Sequence, residues 1–306
     1  MKMVKEISKL LFSLLLLYLI SENIDLQSLK RSFLEIESVF IFFAIIPLIL
    51  QIFLATKRWQ IIINDKSSKL NFFIILRYLW VGLFFNQALP SNIGGDGMRI
   101  FLLNKKSKIG LGESTKFVLI DRLFGVFSLI LIVLVVYLLS FDLLSEEIRD
   151  FLPLLITPLI ITLILFFLIE RIEAFFNIKN RHFLWLLDLV KTFKYSLLNI
   201  RSSSKLLPLS IVIHFLTILT MYYVARALSI DINITILTIV VPVAILMMAL
   251  PISFAGWGVR EGVLVYGLSF YNIPLDSALA VSILFGLMGL VLSIPGLFFF
   301  LFNKKN

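Results

Sequence analysis

Cysteine is absent from this 306-residue chain. Disulfide frameworks, cysteine-bound zinc and thiol nucleophiles are therefore excluded. Histidine occurs only at His182 and His214, so there is no H-E-x-x-H-type metal pair. The phosphate-cradling pattern G-x-x-x-x-G-K-[ST] is also missing, which removes a nucleotide-driven pump from consideration. Neither a metal nor any other cofactor is expected. Charge is scarce as well: 15% of residues are Asp, Glu, Lys or Arg, against 60% hydrophobic. A net charge of +9 does not call for nucleic acid, because basic loops on the cytoplasmic side of a membrane explain it more simply.

What the chain has in abundance is long apolar runs, at 10–20, 39–54, 123–141, 152–169, 206–223, 234–250 and 278–302. A membrane span needs about 20 predominantly apolar residues. The strict alternation of barrel strands is missing, so the runs read as helices, which satisfy their own backbone hydrogen bonds in lipid. The fold class that follows is all-α and polytopic in the membrane. Lys2, Lys5 and Lys9 precede the first run in the manner of a signal peptide, but no alanine occurs before Ala44. With no A-x-A cleavage site, the first run is expected to remain as a span.

Proline and glycine are few, 9 and 14, yet they recur in a pattern. Residues 88–99 read ALPSNIGGDGMR and residues 249–260 read ALPISFAGWGVR. Both fit A-L-P-x-x-x-x-G-x-G-x-R at one offset, 161 residues from Arg99 to Arg260. A repeat of about half the chain is the mark of a duplicated membrane fold. Proline and glycine at membrane depth are tolerated only where the broken backbone is buried in protein or lines a wet cavity. Both copies are therefore expected at the tips of broken or re-entrant helices.

Taking 72–104 and 236–272 as hairpins leaves about six full spans, near 6–21, 38–56, 117–140, 152–169, 206–225 and 276–302. With the N-terminus inside, Lys57, Arg58, Lys66, Lys69, Lys105, Lys106, Lys108, Lys116 and the basic stretch 171–205 all fall inside, as do Lys304 and Lys305. The outer loops hold mostly acids, including Glu22, Asp25, Glu35, Glu37, Glu146, Glu147 and Asp150. This bias predicts both termini in the cytoplasm, and the plasma (inner) membrane is the expected location. Each half then reads span, span, hairpin, span, with opposite starting sides. We expect one integral membrane domain over 1–306, with inverted-repeat halves of about 1–141 and 142–306. Interleaved apolar and basic residues over 171–205 suggest an amphipathic helix on the inner surface, meeting anionic lipid.

The candidate site is the pair of breaks. Their glycines expose backbone N–H groups, and a half-helix starting there favours an anion. Arg99 and Arg260 follow the breaks at equivalent places, and a guanidinium fork suits phosphate oxygens. Two basic half-sites for a lipid phosphate are one reading. Arginines that snorkel or cap carbonyls are the other, and their repetition favours the first. Asp96 and Glu261 either neutralise Arg99 and Arg260 as structural pairs, the favoured reading, or carry protons or contact a cationic headgroup. Asp121 and Arg122 open the span after the first hairpin, Arg122 lining the same cavity or snorkelling. Asn86 satisfies the broken backbone or contacts a headgroup. Arg77 reads as snorkelling, and His214 as a packed, hydrogen-bonded histidine.

NQALPSNIGGDGMR with VLIDRLFG after it, and LPISFAGWGVREG before a long terminal span, resemble the flippase-like transmembrane region of lysylphosphatidylglycerol synthases. The resemblance covers nearly the whole chain. It carries over to Asn86, Pro90, Gly94, Gly95, Asp96, Arg99, Asp121, Arg122, Gly256, Gly258 and Glu261; Arg260 joins them from the repeat. The second motif, Gly-x-Gly-x-Arg-Glu, is the weaker match, because the family usually shows the simpler Gly-x-Gly-x-x-Glu. In full synthases the resemblance implies that this region moves aminoacylated lipid between leaflets, while a separate soluble domain makes that lipid. With the chain ending at Asn306, the soluble domain and its synthase activity are not expected. Stand-alone members look like translocases of phospholipid or polyprenyl-phosphate lipid, or helpers in surface-glycan assembly. Three functions are weighed in this order: a flippase-like translocase for an anionic or aminoacylated phospholipid or a polyprenyl-phosphate-linked lipid, a membrane enzyme acting on a lipid phosphate through acids such as Asp96, Asp121 and Glu261, and a non-catalytic partner of envelope-lipid enzymes. Self-association is a further expectation.

Overall fold

The computed structural model describes residues 2–22, 24–66, 69–89, 93–176, 180–249, 253 and 255–302. In chain order the first half forms α1 (Lys2–Ser21), α2 (Leu26–Leu34), α3 (Ser38–Lys66), α4 (Phe72–Ala88), α5 (Ile93–Lys106) and α6 (Leu111–Leu139). The second forms α7 (Glu146–Phe176), α8 (Arg181–Leu198), α9 (Ile200–Ala227), α10 (Ile234–Ala249), α11 (Val259–Ser269) and α12 (Leu275–Phe302). No strand occurs among the described residues. Polar side chains mark several helix starts: Asp25, Asn71, Asn180 and Asn199 each accept an N–H two residues on.

Five helices among the described residues are long and apolar enough to cross a bilayer: Ser38–Asp65, Leu111–Leu139, Glu146–Ile169, Ile200–Ala227 and Leu275–Phe302. They account for five of the six predicted full spans. The sixth lies in α1, whose apolar part is the shorter Leu11–Ser21. Both predicted hairpins are present as helix pairs, α4 with α5 and α10 with α11, each broken at the Pro-Gly motif. Large apolar side chains such as Phe42, Ile46, Leu154, Ile161 and Val291 stand exposed along the long helices. In water such a surface would be a severe aggregation hazard, whereas in lipid it is the expected exterior. The protein is a multi-pass membrane protein.

The two halves repeat their order: a helix, a shorter helix, a long helix, a hairpin and another long helix. The equivalent helices α3 and α9 make the most extensive contact of any pair among the described residues. They run antiparallel. Glu37 N donates to Ala227 O at 2.8 Å, Thr217 Oγ1 to Gln51 Oε1 at 2.9 Å, and Arg58 Nη1 to Ser210 Oγ at 3.0 Å, so numbers rise along one helix as they fall along the other. Opposed equivalent helices are what an inverted repeat demands.

Two apolar cores result. One packs around α10 and α11, with Leu48, Leu129 and Ile218 among its members. The other packs around α4 and α5, with Ile52, Phe124 and Leu206. Thus α3, α6 and α9 each pass from one core to the other. At the crossing they carry polar or minimal side chains: Gln51 on α3, Gly125 on α6, and Ser210, His214 and Thr217 on α9. The polar interior of the protein lies at this junction.

The amphipathic helix expected within 171–205 is α8, but its setting differs from expectation. Leu187, Val190 and Phe193 are buried. Phe193 packs edge-on to Phe124 of α6 and Phe166 of α7. Much of the apolar face is thus covered by protein. Leu184, Tyr195 and Leu198 remain exposed toward the surface that carries Lys191. Lys304 and Lys305, counted with the inner charges, lie outside the described residues.

Candidate functional site

The first hairpin closes tightly. A Cβ on Gly95 would stand 2.1 Å from Gly82 O and 2.3 Å from Asn86 Oδ1, so only glycine lets α5 approach α4 this closely. Asn86 uses that proximity: its Oδ1 accepts the Gly95 N–H at 2.9 Å. The second break solves the same problem differently. Gly256 and Gly258 have φ of +84° and +83°, backbone that side chains rarely adopt. Gly258 N donates to Glu261 Oε2 at 2.6 Å, closing the start of α11. The N–H groups of Gly95 and Gly258, expected to face an anion, are therefore satisfied by the protein's own side chains.

Behind the first break runs an alternating chain of cations and anions. Ser210 accepts from Arg58 Nη1, and Arg58 Nε donates to Asp121 Oδ1 at 2.8 Å. Arg99 Nη2 donates to Asp121 Oδ2, also at 2.8 Å. Arg99 Nη1 reaches Asp96 Oδ1 at 3.4 Å, and Arg122 Nε donates to Asp96 Oδ2 at 2.8 Å. Arg58, Arg99 and Asp121 are buried, whereas the Arg122 side chain is 45% exposed. The Arg99 guanidinium lies 3.9 Å from the centre of the Trp59 ring, a cation–π contact strengthened by its burial. His214 faces Gly125 O through Nε2 at 3.0 Å, as a packed, hydrogen-bonded histidine should.

Arg260 and Glu261 form the counterpart in the second hairpin, both buried. Arg260 Nε donates to Glu261 Oε1 at 3.0 Å and to Ser282 Oγ at 3.1 Å. Trp257 lies beneath its guanidinium, 4.6 Å to the ring centre. Ser282 is the repeat equivalent of Asp121, and Gly286 of Gly125. In both halves the hairpin arginine thus reaches the same position of the following long helix. The partner is a carboxylate in one half and a hydroxyl in the other.

Two cavities open onto these groups. One of about 370 Å³ is lined by Arg58, Arg99, Asp121, Arg122 and His214, among others. The second, about 220 Å³, is lined by Arg260, Gln87, Phe285 and Ser293, among others. Gln51, Ile52, Leu83, Asn86 and Met248 belong to both linings, so the two cavities adjoin.

Comparison with known proteins shows the family of the chain. The family described as the lysylphosphatidylglycerol synthase TM region matches residues 7–296. The chain belongs to this family. Within the lysylphosphatidylglycerol synthase TM family its relatives include UPF0104 membrane proteins of archaea. One from Methanocaldococcus jannaschii is 31% identical over 212 residues, covering 67% of this chain and 88% of the relative. Another, from Methanothermobacter thermautotrophicus, is 24% identical over 269 residues, covering 80% and 79%. A second M. jannaschii protein is 24% identical over 310 residues, covering 95% and 92%. No solved structure matches the chain.

In this member of the lysylphosphatidylglycerol synthase TM family, Asn86, Arg99, Asp121 and Arg122 come together on the first cavity. Asn86 also reaches the second cavity, with Arg260. Asp96 and Glu261 stand behind these arginines as their ion-pair partners. Gly94, Gly95, Gly256 and Gly258 are outside both linings and shape the breaks. Pro90 lies outside the described residues. Asp121 and Arg122 do not open α6 but sit nearly three turns inside it, because the helix starts at Leu111. Arg58, expected among the inner-loop charges, is instead buried: α3 runs on to Lys66 and sets Arg58 against Asp121. The available signal was Asp121 itself, since a carboxylate within a span demands a cation partner.

Proposed function

We propose that the protein is a flippase-like translocase for a lipid with a phosphate headgroup, an anionic phospholipid or a polyprenyl-phosphate-linked lipid, in the plasma membrane with both termini cytoplasmic. The observation that carries this reading is the pair of adjoining cavities, each with a buried hairpin arginine on its lining and with five lining residues in common. A headgroup crossing a bilayer needs polar stations through the hydrocarbon, and buried arginines offer bidentate contacts to phosphate oxygens. The antiparallel pairing of α3 with α9 supports a two-sided pathway, as in transporters built on inverted repeats.

The test is leaflet exchange in proteoliposomes. Tail-labelled fluorescent phosphatidylglycerol, or a labelled polyprenyl phosphate, would be followed with an impermeant quencher. Exchange should fall by at least about tenfold in Arg99→Gln and in Arg260→Gln, one lost charge-assisted contact being worth about 1.5–3 kcal/mol. Arg77→Gln, an exposed change over the Phe299 ring, should leave exchange unchanged. Exchange that survives both cavity substitutions in folded protein would sink the phosphate pathway.

A further inference from the structure

The two cavities are repeat counterparts. Arg99 and Gly125 line the first, and Arg260 and Gly286, their equivalents 161 residues on, line the second. Yet the volumes differ, about 370 Å³ against about 220 Å³. The helix seams beside them differ in the same sense. At the smaller cavity α4 crosses α12 closely. A Cβ on Gly296 would stand 2.1 Å from Trp80 O, so the two backbones meet there. Trp80 Nε1 donates to Leu292 O at 2.7 Å. The Trp80 ring lies 5.9 Å from that of Phe299, and Phe85 meets Phe300 edge-on at 5.0 Å. An inverted repeat pairs this seam with the one between α10 and α6. There the counterparts of Trp80, Gly296, Phe299 and Phe300 are Val241, Val135, Leu138 and Leu139. Gly296 is buried, whereas Val135, Leu138 and Leu139 are exposed. The indole donor and the crossing glycine are both gone, and this stretch of α6 is left uncovered. Another flank of α10 borders an apolar cavity of about 470 Å³, shared with α7 and α11 and lined by Val240, Val243, Phe151 and Tyr266, among others. Packed interiors hold few voids larger than a water molecule, so the second hairpin has room to shift on this side.

We propose that the α4–α12 seam is a latch that holds the protein in one of two states, and that a headgroup passes between the cavities only when this latch opens and α10 closes toward α6. The two halves of an inverted repeat can exchange conformations, and the resulting states serve opposite sides of the membrane. Here the two seams are unequal. A backbone crossing, a hydrogen bond and two ring contacts stabilise the α4–α12 side, and Val135 bars α10 from approaching α6 as Trp80 approaches Gly296. The latched state is therefore the resting one, and the other is a minor population visited during exchange. In the topology proposed above, the latch lies in the cytoplasmic half and the looser seam in the outer half. Its part in lipid exchange rests on the translocase reading; the two states do not.

The experiment locks the seam in the full chain. Phe85→Cys with Phe300→Cys would be joined by a short, reducible bis-thiosulfonate, with the unlinked double variant as control. The linked protein should lose at least about tenfold in lipid exchange, because the second state is no longer reached, and should regain it on reduction. Full exchange by the linked protein would overturn the latch. A second pair, Leu139→Cys with Leu246→Cys, occupies the corresponding places of the looser seam. It should link slowly in the otherwise unchanged chain, and at least about threefold faster once Gly296→Val weakens the latch and shifts the population. Gly296→Ala, the smaller step, takes its place if valine prevents folding. An unchanged linking rate in folded protein would likewise overturn the proposal. Linking rates need no movement of lipid, so the two readings separate. Faster linking without exchange of any lipid would sink translocation alone, and exchange through a locked seam would sink the latch alone.

Discussion

Arg58 of α3 donates its Nε to Asp121 of α6 at 2.8 Å, joining two helices 63 positions apart in the chain. The same carboxylate holds Arg99 of α5 on its other oxygen. One buried acid therefore ties the first hairpin to both long helices beside it. Removing one partner of a buried ion pair leaves a stranded charge and costs about 3–5 kcal/mol. Arg58→Ala should accordingly lower stability by that order, read as a thermal-unfolding shift in detergent. Arg58→Ala with Asp121→Ala should cost less than the two single changes added together. Strict additivity would mean that the pair is not coupled in the folded protein.

Gly97 and Gly258 occupy the same place in the repeated motif but differ in conformation. Gly97 is helical, with open space where a Cβ would go. Gly258 has φ +83° and stands against Ser13 O and Leu16 of α1. Gly97→Ala should be neutral or stabilising by up to about 1 kcal/mol, through helix propensity. Gly258→Ala should destabilise by at least about 1–2 kcal/mol, through the strained backbone alone. Parallel melting curves of the two variants decide this. Similar melting temperatures would contradict the two different break geometries.

Gly286 is the floor beneath Arg260. A Cβ there would stand 2.3 Å from Arg260 Nη2. Gly286→Ala should push the guanidinium off Glu261 and Ser282 and destabilise by about 1–3 kcal/mol, as overpacking does. The proposed lipid exchange should fall with it. A variant with wild-type melting and wild-type exchange would show that Arg260 has room the structure does not give it.

The absence of cysteine makes membrane orientation directly testable, since any introduced thiol is the only one present. Lys105 and Glu146 are both exposed, near opposite ends of α6. Glu146→Cys should react with an impermeant maleimide on intact cells, and Lys105→Cys only after lysis. The reverse pattern would invert the proposed topology.

The spans and the two breaks were legible because apolar runs of bilayer length and a Pro-Gly repeat speak through composition and spacing alone. Arg58 was not, because a cation near the end of an apolar run reads as a loop charge until its partner is known. Nothing in the local sequence shows that α3 continues to Lys66 or that Asp121 lies beside it. The apolar face of α8 posed a related problem: periodicity reports a buried stripe but not whether lipid or Phe124 covers it. The glycines were legible as breaks but not as conformations. Gly97 and Gly258 share a letter and a register, and the residues around them set φ.

The two arginine–indole stacks have a spectroscopic consequence. Trp59 touches the guanidinium of Arg99, and Trp257 that of Arg260. The chain has four tryptophans, and the others are Trp80 and Trp185. Replacing those two with phenylalanine would leave one tryptophan against each hairpin arginine. Changes in emission could then time the arrival of a ligand at either arginine with no label attached.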